Sequence, residues 1–242
     1  IFANYKNISF IARGISELKT QVIPHYFISN IKDYIDVRID AKRDFIKLKH
    51  TAEQSFPEEK MIGVFIVGET ARADRFSLNG YPKKTNPFLE KQNINNFSDA
   101  YSCGTYTAVS VPCMFTLSEY KKYNSHESKF QENLLDLINS SNIETIWIGN
   151  NSSCKNVCDR IKTIDYVDKD SRNYIGYGVH DEVVISGLKK ILSENRSKKI
   201  LIVLHTMGSH GPAYFERYPD KFEKFKPSCK SNEPQSCSAE EL

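Results

Sequence analysis

The 242-residue sequence has no run of eighteen consecutive apolar residues, so no stretch of it reads as a transmembrane helix. Its start shows no signal-peptide pattern, and it opens on Ile1 rather than Met. It reads as a piece of something longer. An excess of one charge sign is missing too. Lys and Arg total 33 against 30 Asp and Glu, a net charge of +3, which excludes an argument for a nucleic-acid partner. No CxxC spacing occurs and no His neighbours the cysteines, which counts against a zinc knuckle. Internal repeats and low-complexity tracts are also absent.

What remains is an ordinary globular composition, 40% hydrophobic and 26% charged, in a chain long enough for one large domain or two small ones. The six cysteines fall in three close pairs: Cys103/Cys113, Cys154/Cys158 and Cys229/Cys237. An even count in close pairs points to disulfides and an oxidising compartment; reduced core cysteines are the alternative.

Residues 1–60 differ from the rest. They lack cysteine and are rich in Ile, Tyr, Lys and Arg. Ile31, Ile35 and Ile39 recur at helical spacing among Arg38, Lys42 and Arg43, which fits a solvated helix face or a helix close to anionic lipid headgroups. The stretch from Gln54 to Lys60, with Pro57, reads as a linker. Three short apolar runs follow, Met61–Val67, Ile143–Ile148 and Ile200–Leu204, as expected of strands buried on both faces of a parallel sheet. Helical patterns lie between them. Asn86-Pro87 reads as a cap opening a helix around Phe88–Gln92. Phe130–Ser140 and Val183–Leu192 are amphipathic. The chain from Tyr214 reads as a loop closed by Cys229/Cys237. This alternation predicts an α/β layered fold.

In such sheets ligands bind beyond the carboxyl ends of the strands. Three polar clusters should gather there: Glu69 after the first run, Gly149-Asn150-Asn151 after the second, and His205 at the end of the third. Glu69, at a buried strand end, needs a partner or a metal, and a helix-capping role serves equally. In "YSCGTYTAVSVPC" a disulfide would fix a hydroxyl in place; Thr107 could open a helix, as a cap or as a nucleophile activated by a base or metal. "LHTMGSHGP" sets His205 and His210 in a glycine-rich turn. "NNSSCKNVCDR" puts Ser152 and Lys155 on a stapled loop suited to a phosphate oxygen, although Lys155 is equally readable as a solvated residue.

In their joint order these stretches, with "GETARADRFSLNGYPKKTNP" and "HDEV", resemble the phosphoethanolamine transferases that modify lipid A and related envelope acceptors, the family that includes the mobile colistin-resistance enzymes. The resemblance covers residues 61–242, taken as a partial periplasmic catalytic domain; residues 1–60 look like the family's juxtamembrane connection. It implies an α/β/α sandwich of the alkaline phosphatase and sulfatase type, incomplete at its C-terminal end. It also implies an inner-membrane protein of a Gram-negative bacterium, with its catalytic domain in the periplasm and membrane helices outside this sequence. By the same resemblance Glu69 is a ligand of a Zn2+ cofactor, and Thr107 is the nucleophile and a second ligand. Ser152, Lys155, His210 and His205 line the substrate pocket, and the cysteine pairs are family disulfides. Phosphatidylethanolamine is the implied donor, lipid A or lipooligosaccharide the acceptor, through a threonine-linked intermediate; no nucleic acid is involved and the protein is expected to be a monomer.

One departure stands out. The family's further zinc ligands, an Asp and a His in an Asp-His-Gly-Glu segment and a later His, have no counterpart, since none of the six His follows an Asp. The 242-residue chain is therefore expected to hold half a zinc site and to be inactive, the longer natural protein active. A sulfatase- or phosphodiesterase-like hydrolase and a non-catalytic envelope binding domain are the competing readings.

Overall fold

The computed structural model describes residues 25–40, 42–49, 52–55, 58–166 and 179–241. The chain divides into two compact units, 1–45 and 46–242. In the first, the spacing of Ile31, Ile35 and Ile39 gives helix α1, His25–Asp40. Its described apolar residues, including Tyr34, Ile35 and Val37, are exposed.

The second unit begins upstream of the linker expected over 54–60, of which residues 56 and 57 lie outside the described residues. The Ile46 N–H donates to the Phe130 carbonyl and the Glu132 N–H to the Ile46 carbonyl. The Leu48 N–H donates to the Glu132 carboxylate, and the Ser141 hydroxyl to the Ala52 carbonyl. Ile46, Leu48 and Ala52 are thus tied to the body of the second unit.

Four parallel strands form one sheet: β1 (Met61–Val67), β2 (Glu144–Gly149), β3 (Lys162–Asp165) and β4 (Lys199–His205), in the order β1-β4-β2-β3. The helices between them are α2 (Thr107–Met114), α3 (Leu134–Ser140) and α4 (Glu182–Glu194). The pleat sends alternate side chains to opposite faces. Ile146, Ile148, Ile200, Ile202 and Leu204 pack with Val184 and Ile191 of α4 on one face. On the other, Trp147 and Val203 pack with Val111 of α2, Phe115 and Leu135 of α3. Helices on both faces make the three layers of an α/β/α arrangement. Asn133 fixes the start of α3: its side chain accepts from the Leu135 and Asp136 amides, and Asp136 accepts in return from the Asn133 N–H.

Two local expectations are corrected. Instead of a helix at Phe88–Gln92 there is a single 3-10 turn, Leu89–Lys91. Phe88 is exposed, so no apolar face is buried to stabilise a longer helix. Strand β3 was not legible, because Lys-Thr-Ile-Asp is short, mostly polar and at the sheet edge.

The register places the site. Val67 and Gly149 are both level with His205, and Gly149 is level with Asp165. The loops after all four strands therefore leave from one edge, as expected of the polar clusters. The three disulfides pair Cys103–Cys113, Cys154–Cys158 and Cys229–Cys237.

Candidate active site

Glu69 and Thr107 meet although 38 residues separate them: the Thr107 hydroxyl donates to Glu69 Oε2 at 2.8 Å. Strand β1 ends at Val67 and delivers Glu69 to the loop edge. Thr107 is the first residue of α2, a helix whose Cys113 is tied back to Cys103. Gly104 allows the intervening loop to close on the helix, since a Cβ there would lie 2.8 Å from Val109 Cγ1. The hydroxyl thus sits at the positive end of the helix, held by a covalent staple.

The Glu69 carboxylate is fully engaged. Thr70 Oγ1 donates to Oε1 at 2.8 Å, and Asn151 Nδ2 donates to Oε2 at 3.3 Å. Burial alone would raise the Glu69 carboxyl, but the hydroxyls of Thr70 and Thr107, the charge of His210 and the Asn151 amide together hold its pKa below the usual carboxylate value. Thr70 adopts a left-handed backbone, φ 53°, which is strained for a β-branched residue. Strain of this kind gathers at sites where the surroundings over-determine the chain.

Asn151 joins this carboxylate to the stapled loop. Its Nδ2 also donates to the Thr206 carbonyl, and its Oδ1 accepts from the Ser152 N–H. Lys155 Nζ donates to Ser152 Oγ at 2.8 Å, and the Cys154–Cys158 disulfide closes the loop. Ser153, Lys155 and Asn156 all have left-handed φ. This turn therefore presents a cation and a hydroxyl side by side.

The two histidines differ. His210 is exposed, and its Nδ1 faces the Gly211 carbonyl at 2.8 Å, a contact that asks for a proton on Nδ1. His205 has no exposed surface. It packs edge to face on Trp147 with ring centroids 5.3 Å apart, and neither ring nitrogen has a hydrogen-bond partner. Burial pushes its pKa down to about 4. His205 therefore lies beneath the site and offers no surface to a substrate, unlike the pocket-lining place the resemblance gives it.

Sequence reading did not assign Asn151 or Thr70. Asn151 belongs to the polar cluster expected at the loop edge and Thr70 follows Glu69, but the bond of each to the Glu69 carboxylate was not assigned; that of Asn151 depends on folding. A hollow of about 750 Å³ lies elsewhere, at the amino edge of the sheet, against Ser141, Glu144 and Lys199.

Among the described residues, Glu69 is the candidate seat for a metal. Glu69 is a partly buried anion, and among the described residues no Lys or Arg forms an ion pair with it. Such a carboxylate beside a hydroxyl fits part of a zinc shell, which takes four donors. The other convergent trio, Cys154, Cys158 and Asp159, is unsuited because both sulfurs are in a disulfide.

Comparison with known proteins identifies the family. The sequence model of the sulfatase family matches residues 62–239. Phosphoethanolamine transferase EptA of Escherichia coli K12 is 43% identical over 76% of the chain and 34% of its own length. Phosphatidylethanolamine transferase Mcr-1 of Escherichia coli is 35% identical over 99% of the chain and 46% of its own length. The chain thus spans between a third and a half of these relatives. Among solved structures, the integral membrane lipooligosaccharide phosphoethanolamine transferase A of Neisseria meningitidis superposes with a TM-score of 0.79 at 31% identity, over 100% of this chain and 46% of that one. The periplasmic domain of EptC from Escherichia coli, solved in complex with Zn, shares the fold at 23% identity, with a TM-score of 0.63 over 81% of this chain and 56% of that one. The chain belongs to the sulfatase family and, within it, to the lipid A phosphoethanolamine transferase group represented by these relatives.

Proposed function

We propose that this chain carries the nucleophile half of a phosphoethanolamine transferase active site. The observation that carries the reading is the 2.8 Å hydrogen bond from Thr107 to Glu69 at the loop edge of a parallel sheet. Phosphatidylethanolamine is the donor and a phosphate or hydroxyl of lipid A or lipooligosaccharide the acceptor. The natural protein acts as a monomer anchored in the inner membrane of a Gram-negative bacterium, with this domain in the periplasm. Its three disulfides suit that compartment. Among the described residues no helix is long and apolar enough to cross a membrane, so the anchor is not among them.

Each residue has a task. Glu69 Oε2 holds the Thr107 proton and so turns an oxygen lone pair toward the incoming phosphorus. Thr107 Oγ1 bonds to that phosphorus as the bond to the diacylglycerol oxygen breaks. The hydroxyl proton passes to the carboxylate, and the departing diacylglycerol oxygen takes a proton from water on the exposed side. Lys155 and Ser152 take the non-bridging phosphate oxygens, a use for paired cationic and hydroxyl donors. In the second step an acceptor oxygen bonds to phosphorus as the bond to Thr107 Oγ1 breaks; Glu69 returns the proton to Thr107, and a hydroxyl acceptor gives its own proton to solvent. Glu69 and Thr107 would hold a zinc ion together with donors that this chain does not supply. When bound, that ion lowers the pKa of the hydroxyl and offsets phosphoryl charge. The 242-residue chain, with only these two donors, should bind zinc weakly and not turn over.

The competing reading is hydrolysis on the same site, which the sulfatase match favours. The two differ in what leaves the intermediate: an acceptor adduct for transfer, free phosphoethanolamine for hydrolysis. In the natural-length protein, Thr107→Ala should abolish transfer to lipid A while leaving the circular dichroism spectrum unchanged. Transfer that survives this substitution would assign the nucleophile elsewhere.

A further inference from the structure

Asp181 occupies the N-cap position of α4 yet makes no side-chain bond to that helix. An Asp at this position ordinarily caps its own amides. Here the carboxylate points across the loop edge instead. Its Oδ1 accepts from the Met207 N–H at 2.7 Å and from Asn150 Nδ2 at 2.9 Å; its Oδ2 accepts from the Gly208 N–H at 2.8 Å. One carboxylate thereby fixes both the loop after β2 and the loop after β4.

Both loops lead to Glu69. Gly208 has a left-handed φ of 50°, and a Cβ added there would lie 2.6 Å from the Glu69 carbonyl oxygen and 3.0 Å from its nitrogen. The next residue, Ser209, donates its N–H to that same Glu69 carbonyl. The turn held by Asp181 is thus pressed against the Glu69 backbone. On the other side, Asn150 is buried and precedes Asn151, whose side chain bonds Glu69 Oε2. Asn151 Nδ2 gives the two loops a second link, to the Thr206 carbonyl. His210 also leaves from the held turn: its N–H donates to the Met207 carbonyl.

We propose that Asp181 is a positioning residue for the reaction: it sets the backbone and side chain of Glu69, and through Glu69 the Thr107 hydroxyl, without touching substrate itself. The proposal rests on the roles given above to Glu69 and Thr107. A nucleophile is sensitive to such placement, because a shift of ~1 Å can cost ~100-fold in rate. Asp181→Asn keeps the shape of the side chain but turns one acceptor into a donor facing an amide. Asp181→Ala removes all three bonds.

Two measurements test it. The first needs no activity: deuterium uptake of the 242-residue chain, parent against Asp181→Asn and Asp181→Ala. Uptake should rise about tenfold in rate over both 68–70 and 206–210, with the β4 amides unchanged, as expected when charge-assisted hydrogen bonds are lost. Unchanged uptake at 68–70 overturns the proposal. So does a failure of both variants to fold, since Asp181 would then be a general structural residue.

The second uses the natural-length enzyme and compares Asp181→Asn with Asp136→Asn, which breaks the cap of α3 and its bidentate pair with Arg160, bonds to groups given no role in the reaction. For Asp181→Asn, kcat should fall between about 10- and 100-fold with KM for the donor nearly constant. Asp136→Asn should lower the melting temperature but leave kcat within about twofold of the parent. Equal kcat losses in the two variants overturn the positioning role. Should Thr107→Ala remain active, the proposed function fails, while the uptake measurement still decides whether Asp181 holds Glu69.

Discussion

His205 shows how a single residue can be conspicuous in sequence and yet serve a different end. In "LHTMGSH" it looks like a partner of His210. It ends β4 with no exposed surface, against Trp147. Its ring must stay neutral there, since burial brings its pKa from 6.5 to about 4. The sign of the linkage follows. Between those values the unfolded chain binds the proton and the folded chain does not, so stability falls as pH drops from 6.5 toward 4. The full effect is on the order of 3 kcal/mol. Urea midpoints of the 242-residue chain should decline across this window, and His205→Phe should flatten the decline. An equal slope in parent and variant would place the titration on another group.

Glu69 and Thr107 were legible in a limited sense. A carboxylate at a strand end and a threonine ahead of Ala-Val each admit a capping role, and no local rule joins residues 38 apart. Their order among the other motifs singled them out, by resemblance. Asp181 belongs to "HDEV", a stretch that shares in the resemblance but was given no residue role, and its partners lie 26, 27 and 31 residues away.

Secondary-structure elements were more readable where burial is complete. Strands β2 and β4 are almost wholly buried, so their sequences are continuous apolar runs. Strand β1 has the same kind of sequence but a different setting. It is an edge strand, and Met61, Ile62, Val64, Phe65 and Ile66 are all exposed. A seven-residue apolar edge without Pro or charge is a template for association. The 242-residue chain should therefore self-associate, with a sedimentation coefficient that rises with concentration. Ile62→Lys and Ile66→Lys, on one face of β1, should return it to a monomer. A parent chain that stays monomeric over the same concentrations would show that this edge is protected. The monomeric state proposed for the natural protein requires cover for β1.

For the molecule as a whole, the sequence pattern made the α/β class and the shared loop edge accessible, because parallel strands in register must release their loops together. The proposed zinc site was not accessible from pattern alone. It rests on the family resemblance and on a partly buried carboxylate with hydroxyl and amide partners but, among the described residues, no Lys or Arg ion pair. The stapled loops are a whole-molecule feature as well. Two disulfides, Cys103–Cys113 and Cys154–Cys158, flank the nucleophile and the Ser152–Lys155 pair, so both sides of the site are fixed before substrate arrives.

The most direct test of the account is peptide mass spectrometry of the natural-length protein after exposure to phosphatidylethanolamine without acceptor. The account predicts one phosphoethanolamine group on the peptide containing Thr107, absent in Thr107→Ala and discharged when lipid A is added. An adduct on a different residue, or full transfer with no adduct on Thr107 at any time, would contradict it.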